Sequence, residues 1–427
     1  MKNSNRLIVI FLYFLLYIPV SCQDLDRWFD EGSMRVDLVW SGTARDGAYA
    51  LESVRKEPFY SGPVTRLVDD SGYGDHRFEV RDSASGTLIF SRTYCTLFSE
   101  WQTTSEAGTL SRAFPHVIRF PWPRSSVRVD ILDRDRSGVF HSSWTGMLDP
   151  GSAYIDPTLR LPFETADLEI NGPVEASVDI LFLAEGYKEG EMEKFLSDAR
   201  RSADFILAEE PFRSDRGRFN VRAVFSASND SGTDIPEEGI WKNTVMNSSF
   251  YTFGIERYMT TPDYRAVCDV AANAHYDQIC ILVNTDKYGG GGIYNFYSIS
   301  AADNLESRTV LIHEFGHAFA GLADEYYQSE VAYNDFFNLE VEPWNPNLTT
   351  LVDFDSKWES MLDSGTPVPT PAVDSNRQTL GVYEGGGYVA KGVYRPMIDC
   401  MMHSHETGFC PVCTRAIEDM ILRNTGR

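Results

Sequence analysis

The chain has 427 residues and a formal charge of −24, with 62 Asp and Glu against 38 Lys and Arg. Nucleic acid and anionic membrane surfaces both require a basic footprint, and no Lys/Arg cluster supplies one, so neither is expected as a partner. At 43% apolar residues the composition is that of a globular protein long enough for more than one domain.

Lys2 and Arg6 precede an apolar run from Leu7 to Val20, closed by Ser21 and Cys22. A run that short is the core of a signal peptide rather than a membrane span. A small residue before cysteine predicts a lipoprotein-type signal over residues 1–22, with Cys22 as a lipid anchor; plain secretion is the alternative. The expected location is therefore the cell surface or periplasm as a lipoprotein, or the exterior.

Residues 23–165 read as short alternating segments: Met34–Trp40, His76–Val80, Thr87–Ser91 and Ser126–Leu132, separated by turn clusters at Asp69–Gly74 and Asp133–Gly138. This spacing predicts a β-sandwich, whose first expected role is to stabilise its neighbour. Asp156–Pro173, irregular and proline-bearing, marks the expected boundary. Beyond it, in residues 166–427, strands and helices alternate. Val178–Ala184, Phe219–Phe225 and Gln278–Val283 are the expected strands, and Met192–Ala208 and Tyr264–Ala274 the helices. The expected fold class is thus α+β, an N-terminal β-sandwich followed by an α/β domain of zincin type. Four glycines at Gly289–Gly292 predict a flexible bend, and the residues after them a strand with Tyr294 and Phe296 on one face. As an edge strand it would pair with an extended peptide; as an inner one it would be ordinary sheet.

The chemistry concentrates in His313-Glu-Phe-Gly-His317. Two imidazoles four apart lie one turn apart on a helix, the separation at which both reach a single Zn²⁺, and the glutamate between them can act on the metal's water. On a helical wheel Leu311, Ile312, Phe315, Ala318 and Phe319 form one apolar arc, and the two histidines fall together outside it, where a core histidine would not sit. Catalytic zinc takes a third protein ligand. Gly321 can end the helix in a left-handed turn and bring Asp324 back to the metal. The step from glycine to acid matches that of metzincins, with one more residue between His317 and the glycine. Glu325 competes for the role, although a solvated acid is its more ordinary state. A thermolysin-like glutamate is missing from Asp335–Asn338. Cys400-Met-Met-His403 predicts a methionine turn beneath the metal, with Met402 the better candidate. His403 and His405 are expected at the surface or just behind the metal's ligands.

Setting Cys22 aside leaves six cysteines, whose fifteen pairings sequence cannot choose among. Cys410-Pro-Val-Cys413 has redox or metal spacing, and the expected role is a disulfide from Cys400 to one of the two.

His313–Tyr327, Gly381–Pro396 and Cys400–His403 together resemble the IgA-metallopeptidase family of bacterial secreted zinc endopeptidases. The resemblance runs from about Val178 to the C-terminus. It implies a zincin fold and peptide-bond hydrolysis, with His313, His317 and Asp324 as zinc ligands and Glu314 as general base. Tyr326, Tyr327, His403 and Tyr394 are the candidates for stabilising the oxyanion. The implied partner is a protein or peptide substrate, with host glycoprotein or immunoglobulin as candidates. The rival function is a surface-anchored protein- or glycan-binding lipoprotein whose zinc site is structural or vestigial. Phe336–Gln378 is expected to form irregular cleft walls.

Overall fold

The computed structural model describes residues 25–159, 161–327, 337–404 and 407–426. The expected signal segment with Cys22, His405, and Asp335 and Phe336 lie outside the described residues. Among those described, no helix is long and apolar enough to cross a membrane.

The first half is a sandwich. A short helix, α1 (Leu25–Trp28), leads into β1 (Phe29–Gly42), β2 (Gly47–Glu57), β3 (His76–Asp82), β4 (Leu88–Tyr94), α2 (Leu97–Gln102), β5 (Arg112–Pro123), β6 (Val127–Arg134) and β7 (Phe140–Leu148). These strands form two antiparallel sheets, ordered β2-β1-β5 and β4-β3-β6-β7. Alternate residues point inward from each sheet. Met34, Val36 and Leu38 of β1 meet Phe78 and Val80 of β3 and Val129 and Ile131 of β6 in one buried cluster. Strands β1, β3, β4 and β6 coincide with the predicted segments, whereas β2, β5 and β7 carry no sequence prediction. All three are edge strands, where the alternation weakens. β2 and β7 are largely exposed, and β5 contains Pro115, Pro121 and Pro123, which a sheet tolerates at an edge.

The second half is built on a six-stranded sheet ordered β12-β13-β11-β9-β10-β8. Its strands are β8 (Glu164–Glu169), β9 (Val178–Glu185), β10 (Phe219–Phe225), β11 (Gln278–Val283), β12 (Gly290–Ile293) and β13 (Tyr297–Ala301). The four inner strands run parallel, and β8 and β12 pair antiparallel at the two edges. Helices α3 (Met192–Leu207), α4 (Tyr264–Ala271), α5 (Ser307–Ala320) and α6 (Pro411–Thr425) and a hairpin of β14 (Tyr383–Gly386) and β15 (Val389–Arg395) complete it. Parallel strands covered on both faces need continuous apolar runs. Accordingly every residue of β9 and β11 is buried. β8 lies in the segment expected to be irregular; four acids and polar residues around Ala166 and Leu168 give it no apolar rhythm, and its ladder to β10 comes from tertiary pairing.

The halves are joined through a shared interior. Trp40, Phe98, Trp101 and Phe114 of the sandwich belong to the core that contains β9 and β11. Arg35, buried at 1% exposure, pairs with Asp37 at 2.6 Å and Glu57 at 3.3 Å in its own half and with Asp269 of α4 at 2.7 Å. Removing one member of so buried a network strands the others' charge. Backbone also crosses the joint, with the Cys95 N–H donating to the Tyr294 carbonyl at 2.9 Å.

Candidate metal centre and active site

Helix α5 carries His313, Glu314 and His317, and Gly321 ends it as the sequence predicts. Gly321 has φ 62°, and its N–H donates to the His317 carbonyl at 3.0 Å. α5 is covered on nearly all sides, and His313, outside the apolar arc, is 4% exposed. One of the covers is the glycine strand. A Cβ on Gly292 would run into the Glu314 carbonyl oxygen, and one on Gly290 would meet the Glu314 side chain at 3.1 Å. The glycines therefore permit close approach of β12 to α5 and are strand, not a flexible bend. Tyr294 and Phe296, expected on a strand face, instead lie in the hairpin turn around Asn295, whose φ is 51°.

Three donors converge at the helix. The Nε2 atoms of His313 and His317 are 3.0 Å apart, and Asp324 Oδ1 lies 3.0 Å from the first and 3.4 Å from the second. A tetrahedral ion with bonds of about 2.0–2.2 Å holds such donors about 3.3–3.5 Å apart, so the trio could hold one divalent metal. The second nitrogens are committed elsewhere. His313 Nδ1 is 3.0 Å from the Met401 carbonyl and His317 Nδ1 is 2.6 Å from the Leu322 carbonyl. A carbonyl only accepts, so both Nδ1 atoms carry a proton and each Nε2 is turned to the trio, where a metal would displace any proton it holds. Asp324 Oδ1 is buried and accepts no hydrogen bond among the described residues, which suits an oxygen that binds a cation. The other oxygen, Oδ2, accepts from the Tyr388 hydroxyl. The β14–β15 turn brings Tyr388 there by docking on the same segment, Gly387 N–H to Asp324 carbonyl at 2.8 Å and Tyr388 N–H to Tyr326 carbonyl at 3.0 Å.

The electrostatics fit this arrangement. Burial alone would raise the Asp324 pKa, but the surrounding His317 and His313 hold it well below the usual carboxylate range. Burial would likewise depress His317, yet the Asp324 carboxylate wins and pushes it up to about 9. Glu314 is raised, first by burial and then by Asp324, against the pull of His313, His317 and Arg257. A carboxylate with raised pKa is a better proton acceptor than an ordinary glutamate.

Cys400–Ser404 forms a tight turn under the helix, with His403 N–H donating to the Cys400 carbonyl at 2.9 Å. Met402 is fully buried, and its sulfur lies 3.1 Å from the place a Cβ on Gly316 would occupy. It therefore packs against the helix between the two histidines. Its carbonyl accepts the Glu325 N–H at 2.7 Å, which fastens the segment after the helix to the turn.

Two expectations here are corrected. Glu325 is not a solvated acid: it is 0% exposed and turned away from the trio, accepting from Asn347 Nδ2 at 3.0 Å and lying 3.2 Å from Cys413 Sγ. The expected disulfide is also not formed. Cys400, Cys410 and Cys413 do gather, but all six described cysteines are free, and Cys400 Sγ to Cys413 Sγ is 3.7 Å against about 2.05 Å for a bond.

Above the trio opens a cleft of about 790 Å³. Its floor is α5; its far wall comes from the sandwich, through Asp75, Glu100 and Arg134, and from the irregular Val341–Asn345 stretch predicted as wall. Trp344 Nε1 donates to Asp75 Oδ1 at 2.8 Å and closes the seam between them. Of the four oxyanion candidates only Tyr326 is among the described lining residues. Arg257 and Tyr388 also line it and were missed by sequence reasoning. Arg257 lies in an irregular stretch with no motif. Tyr388 follows three glycines of which Gly385 and Gly387 have positive φ, a signal that a turn is held there but not that it reaches the site.

A helix bearing His-Glu-x-x-His beneath an open cleft, with an acid folded back beside it, places the protein in the class of peptidases. Residues 166–380 and 372–421 match the family described as IgA Peptidase M64, and residues 24–145 match the Peptidase M64 N-terminus. The chain belongs to the IgA peptidase M64 family. Among curated protein sequences, none matches it.

Proposed function

We propose that this peptidase is an exported zinc-dependent endopeptidase in which His313, His317 and Asp324 hold the ion and Glu314 is the general base. The observation that carries the reading is the convergence of three donors within 3.4 Å of one another on the floor of an open cleft, with Glu314 beside them. Bound there, zinc would supply a Lewis acid that polarises the scissile carbonyl and acidifies water. Glu314 takes the proton from the attacking water and returns it to the leaving amine. Tyr388 fixes the orientation of Asp324, and the Met401 and Leu322 carbonyls fix the imidazoles.

The extended substrate has an edge to pair with. Gly290 already accepts from Met259 N–H at 3.1 Å and donates to the Arg257 carbonyl at 3.2 Å. By the two-residue alternation of a strand, Gly292 presents its backbone groups on that same side, and it lines the cleft. Pairing through backbone leaves specificity to the cleft walls. Arg257 and Tyr326 stand as donors for the developing oxyanion.

Export rests on the Leu7–Val20 run, with Cys22 as lipid anchor in the lipoprotein reading. Metal analysis of the purified chain, followed by incubation with a mixed peptide library with and without chelator, tests the function. Chelator-sensitive internal cleavage is expected. A chain that binds zinc at the trio yet cleaves no peptide supports instead the surface-anchored binding protein. Cleavage-site profiling on immunoglobulin and mucin-type glycoproteins then separates the candidate substrates.

A further inference from the structure

On the far side of the segment that carries Asp324, four more donors close on one point. Glu325, Cys400, Cys410 and Cys413 are 0%, 0%, 4% and 0% exposed, and one ligand atom from each lies within 4.8 Å of all the others. Cys400 Sγ to Cys413 Sγ is 3.7 Å, and Cys413 Sγ to Glu325 Oε1 is 3.2 Å. A tetrahedral zinc with Zn–S of about 2.3 Å and Zn–O of about 2.1 Å sets its sulfurs about 3.8 Å apart and sulfur from oxygen about 3.6 Å. The spacing is that of ligands around an ion.

A second observation is independent of the sulfurs. Glu325 Oε2 is buried and has no hydrogen-bond partner among the described residues, while Oε1 accepts from Asn347. A buried oxygen left without a partner is costly unless a ligand meets it. Backbone donors also face these sulfurs. Cys410 caps the N-terminus of α6, its sulfur accepting the Cys413 N–H at 3.5 Å, and Cys400 Sγ accepts the Cys410 N–H at 3.3 Å. Amide donors and the positive end of a fifteen-residue helix both stabilise charge on sulfur. Cys410 and Cys413 supply the two-residue spacing of a zinc knuckle.

We infer that Glu325, Cys400, Cys410 and Cys413 form a closed, structural metal site for a tetrahedral, thiolate-preferring divalent cation such as Zn²⁺, separate from the trio in the cleft. Loading displaces the thiol protons into solvent as the three metal–sulfur bonds form, with no change of oxidation state. The ion would join three pieces of chain: the irregular segment after α5, the methionine turn and the start of α6. Two of these hold Asp324 and His313, so the buried ion acts as a positioning element for the open one.

The experiment measures metal per full-length chain in the wild type, in H313A/H317A and in C410S/C413S. Two zinc ions per chain are expected in the wild type and one in each variant. Exchanged with Co²⁺, H313A/H317A should show a thiolate-to-cobalt charge-transfer band that the wild type shares. Should C410S/C413S fail to fold, alkylation of H313A/H317A decides: Cys400, Cys410 and Cys413 react only after the chelator has removed the ion. The inference is overturned if H313A/H317A holds no metal, if its cobalt form lacks the sulfur band, or if intact mass shows two of these cysteines joined as a disulfide. Because the deciding arm is read in a variant without the histidines, failure of the protease reading would leave this result standing, and the converse holds.

Discussion

Asp324 and Glu325 are adjacent acids with opposite surroundings. The first faces two imidazoles under an open cleft of about 790 Å³; the second faces three sulfurs in a sealed interior. Extended backbone sends successive side chains to opposite sides, so one short segment serves both clusters. The comparison sets three donors with an open side against four donors with none, the difference that distinguishes a catalytic metal site from a structural one.

The strongest way to break the comparison is to disable chemistry on the open side alone. Glu314→Gln should lower turnover by on the order of 10²–10⁴-fold while metal content of the chain stays unchanged, as read by peptide hydrolysis and metal analysis. Loss of metal in that variant would mean that Glu314 is a ligand. Next in size is Tyr388→Phe, which removes the donor to Asp324 Oδ2. About 10–100-fold weaker metal binding at the trio is expected, measured by competition with a chromophoric chelator, with the thiolate ion undisturbed.

Gly292→Ala sharpens the role of close packing. Its Cβ would strike the Glu314 carbonyl, and the strain should cost about 1–3 kcal/mol in a urea titration and lower activity by displacing β12. Wild-type stability in that variant would show that the strand yields freely.

A buried acid remote from both clusters gives the smallest effect and serves as a control. Burial, then the neighbouring Asp179 carboxylate, pushes Asp277 up to about 7. Unfolded, it titrates near 4, so the folded state holds the extra proton between about pH 4 and 7, and its contribution to stability is lost as pH rises through that window. Asp277→Asn keeps a carbonyl for the Asp179 N–H, which Oδ2 now accepts at 2.7 Å. The variant should gain on the order of 1–3 kcal/mol at pH 8 and little at pH 5, read as the shift in urea midpoint. An equal gain at both pH values would show that Asp277 does not titrate there.

Much of the open site was legible because its signals are local. His313, Glu314, His317 and the left-handed Gly321 follow from helix period and glycine geometry, and β9, β10 and β11 from continuous apolar runs. What sequence could not deliver depends on distant chain. The edge strands β2, β5 and β7 lack alternation or carry proline. Tyr388 reaches Asp324 only because a hairpin 64 residues away docks there. Glu325 reads as a surface acid until Cys400 and Cys413 are seen beside it. The sulfurs themselves were singled out, but spacing alone does not tell a disulfide from free thiols; the intersulfur distance of 3.7 Å excludes the bond.

The far wall of the cleft comes from the sandwich, and the sandwich shares its interior with the sheet that bears the trio. The proposed catalytic groups and the far wall of the cleft thus lie on different stretches of one polypeptide that share one core. The wall can therefore vary without touching His313, Glu314, His317 or Asp324, whereas loss of the sandwich would take Arg35 and Trp40 out of the joint and leave a hole where the two parts meet.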